Sequence, residues 1–211
     1  MAGAALSVIV SVVFAAAMAV RYARRRKPYQ LVWTIGLSMF AVAALSGVLV
    51  RAGGATETEY RFFYLFGAIL NVAWLALGTV YLLVPRAATW ALLFVLGLTL
   101  FAGITVLVSP VDLTAAIDTG KGFDYAPLPR VFAAIGSGVG SLVLIGGALW
   151  SAWTFLRRRG DGRRALGNVA IAAGVLVAAI GGTAAFTGAS GVVEWTNFAG
   201  ISLIFAGFLL V

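Results

Sequence analysis

Seven long apolar runs, none with an Asp, Glu, Lys, Arg or His inside it, limit this chain more than any other feature. They run roughly from Ala2 to Val20, Leu31 to Val50, Phe62 to Val84, Ala88 to Val108, Val131 to Leu156, Ala165 to Phe186 and Thr196 to Val211. A helix rising about 1.5 Å per residue crosses a hydrocarbon core of about 30 Å in about 20 residues, and most of the runs meet that length. The seventh is short, with only about sixteen residues after Trp195. β-Barrel strands would instead show segments of about ten residues with alternating polarity. With 62% hydrophobic residues and a mean hydropathy of +1.05, the chain reads as an all-α integral membrane protein, a single seven-transmembrane-helix bundle over residues 1–211.

Charge sets the expected orientation. The fifteen Lys and Arg residues give a net charge of +8, and eleven of them fall on one side: Arg21, Arg24, Arg25, Arg26, Lys27, Arg86, Arg157, Arg158, Arg159, Arg163 and Arg164. Arg51, Arg61, Lys121 and Arg130 fall on the other. Short basic loops stay cytoplasmic, so the amino terminus is expected outside and the carboxyl terminus inside. The run "RYARRRK" at 21–27 then sets topology and attracts anionic lipid headgroups, and nucleic-acid binding is not expected. No basic residue precedes the first apolar run, so a retained helix suits it better than a cleaved signal peptide. The expected location is a plasma membrane of prokaryotic type.

The residue inventory excludes several kinds of chemistry. The chain has no His and no Cys, which removes thiol catalysis, iron–sulfur ligation and the usual axial ligand of haem. A retinal Schiff base needs a lysine at depth, and the runs hold none. The acidic residues Glu57, Glu59, Asp112, Asp118, Asp124, Asp161 and Glu194 are all assigned to loops. Ion-coupled transport and voltage sensing need ionisable groups inside the membrane, so neither is expected. The segment 109–130 carries Asp112, Asp118, Lys121 and Asp124 among turn-forming Gly and Pro; it reads as a solvated connector, not a catalytic centre. No enzyme activity, metal or cofactor is expected.

Small residues mark two helices. The fifth holds Gly136 and Gly140, with Ser137 and Ser141, each pair four apart; the sixth holds Gly174, Ala178 and Gly182. Such spacing lets backbones approach closely in lipid, so these two helices are expected to form the tightly packed part.

The third helix carries the candidate site. Tyr64, Gly67, Asn71, Trp74, Gly78 and Tyr81 are spaced 3, 4, 3, 4, 3, which on a regular α-helix is one stripe. It should face the bundle, leaving Ile69, Leu70, Leu77 and Val80 toward lipid or looser contacts. Either the stripe is a packing seam, or Tyr64, Asn71, Trp74 and Tyr81 line a ligand site.

The first three and last three helices also follow a similar plan, with "EYRFF" and "EWTNF" opening the third and seventh. A 3+1+3 arrangement of parallel pseudo-repeats would explain this, and so would the ordinary spacing of basic loops. The plan is similar in architecture to the SWEET sugar transporters, which place their solute site between the halves. The helices lack a Pro-Gln pair of the kind found in that family, and membership is not inferred. Two roles follow from the whole: binding or passive transport of a small uncharged or lipid-like molecule, or a scaffold, sensor or subunit acting through a homo-oligomer or another membrane partner.

Overall fold

A computed structural model describes residues 2–50, 56–119, 121–159, 161–186 and 190–211. Among them, seven helices are long and apolar enough to cross a membrane, and no strand occurs. In chain order they are Ala2–Arg25, Pro28–Leu49, Glu57–Leu83, Pro85–Val108, Pro127–Arg157, Gly162–Phe186 and Ser190–Leu210. The architecture is that of a multi-pass membrane protein. The seventh helix begins at Ser190, six residues before the start expected from hydropathy. Glu194 therefore sits within a helix and not in a loop, and the seventh span is not short.

Local signals explain the helix ends. Pro28 and Pro127 stand in first turns, where a missing N–H costs nothing. Thr56 and Glu59 form a reciprocal capping box at the start of the third helix. At the far end of the fourth, the Arg61 guanidinium donates to the carbonyls of Val106 and Leu107, the latter at 2.9 Å, while also pairing with Glu57 at 3.0 Å. Those carbonyls lie in the last turn of their helix, where no following N–H of the ladder reaches them.

Six helices form a ring in the order first, second, third, fifth, sixth, seventh, and the seventh closes it against the first. Phe14 completes that closure, its ring tilted against those of Phe205 and Phe208 at 4.9 and 5.1 Å between centroids. The fourth helix lies outside the ring against the third and fifth. It leaves Trp90, Phe94, Leu100 and Phe101 exposed, an apolar face suited to lipid.

The third helix is consequently covered by the second, fourth and fifth. Ile69, Leu70 and Leu77 are completely buried, contrary to the expectation that they would face lipid. A stripe argument assumes one covered side, and this helix has several.

The small residues do pack tightly, each of the two helices against a different neighbour. On the fifth helix, Gly136 lies against the Ile69 backbone and Gly140 against Val72, both on the third. On the sixth, the close seam faces the seventh: a methyl group at Gly174 would lie 2.6 Å from the Gly200 carbonyl, and one at Gly167 would lie 2.7 Å from that of Gly207. Gly181 meets Thr196 in the same row. A seven-residue spacing of Gly167, Gly174 and Gly181 returns to nearly the same face of a helix. Of the expected row Gly174, Ala178 and Gly182, the first two meet Gly200 of the seventh helix, and Gly182 meets nothing.

Candidate functional site

Two helices leave regular α geometry where they cross. The third is π-helical over Phe63–Leu70 and the fifth over Ala134–Val139. A π turn takes one residue more than an α turn and misaligns a carbonyl from the ladder. Ser137 answers it across the interface, its Oγ donating to the Ala68 carbonyl at 2.6 Å. Below the wide turn, Asn71 Oδ1 accepts the Val72 N–H at 2.6 Å. The glycine at 136 permits this crossing, because any side chain there would strike the Ile69 carbonyl.

The ring encloses a cavity of about 480 Å³ beside that crossing. Small apolar residues make most of its wall, among them Ala43, Gly67, Ala68, Ala133 and Ala178, with Phe40, Leu75, Leu144 and Ile201 below. The polar groups are few and short: Ser7, Asn71, Ser137, Ser141, Thr183 and Asn197. Lys121, Asp124, Arg130 and Glu194 stand at one end, here called the mouth, opposite the arginine-rich loops. Arg130 Nη1 pairs with Asp124 Oδ1 at 3.3 Å. A concave apolar chamber with a few convergent polar groups is the usual form of a small-molecule site.

The segment 109–130 is not the solvated connector expected from its Gly and Pro content. It contains the helix Leu113–Thr119, started by Asp112, whose carboxylate accepts the Ala115 N–H at 2.9 Å. The chain then folds back, and the Gly122 N–H donates to the Tyr60 hydroxyl at 2.9 Å. Phe123 is buried, with its ring 5.6 Å from Tyr60 and 4.8 Å from Tyr64. This segment caps the core of the third, fourth and fifth helices and supplies Lys121, Phe123 and Asp124 to the cavity. Asp118 has no described side chain, so its expected place in the connector lies outside the described residues.

The six residues of the stripe divide. Tyr64, Gly67 and Asn71 line the cavity. Trp74 turns to the fourth helix, where its indole Nε1 donates to Thr99 Oγ1 at 3.2 Å. Gly78 receives the Trp33 ring, whose Nε1 donates to the Leu75 carbonyl at 2.9 Å. Tyr81 is half-buried against the core shared with the fourth helix. The observed cavity face is 63, 64, 67, 68, 71, 72 and 75, and Trp74 and Tyr81 lie about 80–100° round the helix from Tyr64 at about 100° per residue. Tyr64 is 6% exposed, and its hydroxyl has no hydrogen-bond partner.

Sequence reasoning missed the mouth. Glu194 and Asn197 are three apart on the seventh helix and share its cavity face; an amide one turn after a carboxylate was the available signal. The described residues contain no cluster of three or more potential metal ligands. Comparison with protein-family models, with curated proteins and with solved structures finds no match to this chain.

Proposed function

We propose that this chain binds a small uncharged or lipid-like molecule within its helical ring and, if it moves that molecule, does so without ion coupling. The observation that carries the reading is the cavity of about 480 Å³ with Tyr64 in its wall, a residue whose buried hydroxyl has no partner within the protein. A buried hydroxyl without a partner costs about 1–3 kcal/mol, and a ligand acceptor would relieve that cost. Asn71 adds a second polar group at greater depth. The basic loops then lie in the cytoplasm, and the mouth opens to the outside of a prokaryotic plasma membrane. Helices one to three and five to seven follow one another round the ring in the same order, as parallel pseudo-repeats flanking a linking helix would. The scaffold or complex-subunit role is the rival reading, favoured by the exposed aromatic face of the fourth helix.

Tyr64→Phe tests the binding reading through two signs. Purified in detergent, the variant should be as stable as the parent or more stable, since an unsatisfied group is removed. Molecules retained by the parent, detected by native mass spectrometry, should be held roughly 2- to 13-fold more weakly, the loss of one hydrogen bond of about 0.5–1.5 kcal/mol. If Tyr64→Phe destabilises the protein and retention is unchanged, the hydroxyl serves the fold and the reading fails.

A further inference from the structure

The cavity has a second opening, and it faces the bilayer. Most of its wall is buried or half-buried, yet Ala134 and Gly138 of the fifth helix, and Gly182 and Thr183 of the sixth, line the cavity while themselves exposed. Nothing lies within 4 Å of where a side chain would begin at Gly138 or at Gly182. The sixth helix packs extensively on the fifth over Gly140–Arg159, and at most sparsely on the stretch 127–139 beside the cavity. The two helices thus diverge toward the mouth and leave a slot between them. Ala179 and Thr183 continue from the cavity wall into a shallow apolar groove on the outer surface of the sixth helix, with Leu176 and Ile180. Arg130, Ala134, Gly138 and Ser141 run down one edge at spacings of 4, 4 and 3, from the charged mouth to mid-helix.

Resting on the reading of the cavity as a binding site, we infer that its occupant is a single-chain membrane amphiphile that enters sideways through this slot. A chain in the bilayer already lies parallel to the helices, so it can pass between them while its head stays at the level of the mouth. The apolar floor of Phe40, Leu75, Leu144 and Ile201 takes the chain. The mouth carries two cationic groups, Lys121 and Arg130, and two anionic ones, Asp124 and Glu194. That balance favours a head of no net charge, with an acceptor for the Tyr64 hydroxyl. A water-borne solute would have no use for an opening onto lipid.

The test uses a monoacylglycerol with a photoactivatable diazirine in its chain, added to the intact protein in phosphatidylcholine nanodiscs. Labelled residues are mapped by peptide mass spectrometry at increasing times before the flash. In the parent, label should reach the floor at Leu75, Leu144 and Ile201. Gly138→Phe and Gly182→Phe fill the slot without a backbone clash and should slow that labelling at least 10-fold. Gly146→Phe, at another open position on the fifth helix, should leave it unchanged. Thr183→Phe, in the same slot, replaces either glycine variant whose melting temperature falls. Floor labelling at the parental rate in both slot variants would overturn lateral entry and leave the binding site standing. Label confined to lipid-facing positions such as Leu100 in the parent would overturn both.

Discussion

The sixth helix presents glycines to two neighbours and meets them in opposite ways. Toward the seventh helix, Gly167 and Gly174 bring the backbones so close that each would direct a side chain at a carbonyl of the facing helix. One residue on from Gly181, which meets Thr196, Gly182 meets nothing. The sequence does not distinguish these faces, since glycine serves close approach and open space equally well. What separates them is whether the neighbour answers. The seventh helix returns Gly200 and Gly207 at the same seven-residue interval, whereas the upper fifth helix offers Ala134 and Gly138 to the slot and does not close on it.

The largest effect expected from that contrast is on stability. Gly174→Leu forces a side chain against the Gly200 carbonyl, which cannot move without its helix, and should cost about 3 kcal/mol or more. Gly182→Leu should cost less than about 0.5 kcal/mol. Thermal unfolding in one detergent measures both, and equal losses would erase the distinction between seam and slot.

A smaller effect separates the two halves of the third helix. Trp74→Phe removes the bond to Thr99 and should lower stability by about 1 kcal/mol without changing ligand retention. Asn71→Ala should reduce retention. If Trp74→Phe impairs binding as much as Asn71→Ala does, the stripe acts as one surface after all, and its division between Asn71 and Trp74 is wrong.

The smallest expected effect is none. The chain lacks His, the side chain that ordinarily titrates between about pH 6 and 8. Flux or binding in reconstituted protein should be flat across that range and indifferent to an imposed pH gradient. Uptake driven by acidification would point to Glu194, the carboxylate that the seventh helix places in the cavity wall, and would overturn uncoupled transport.

The seven helices were legible because length and hydropathy are local, and every expected span has its helix. The site was only partly legible. Tyr64 and Asn71 reach the cavity, but a spacing that alternates 3 and 4 averages about 3.5 residues per turn and drifts round a helix of about 3.6, so Trp74 and Tyr81 fall toward the fourth helix. Burial of Ile69, Leu70 and Leu77 was hidden for a different reason: hydropathy cannot say which apolar surface meets protein and which meets lipid. The packed segment 109–130 went unread because its anchor, the bond from Gly122 to Tyr60, spans 62 residues.

The wide turn also bears on inheritance. A helix that holds one residue too many can lose one there and keep the register on both sides. Within 63–70, a single deletion would restore the ordinary ladder, whereas the same deletion within 72–83 would turn every following side chain by about 100° and misplace Trp74 or Gly78 against its partner. Natural length variation among descendants of this sequence should therefore collect at the crossing with Ser137, where a gap reads as a local change in winding and the rest of the bundle is left as it was.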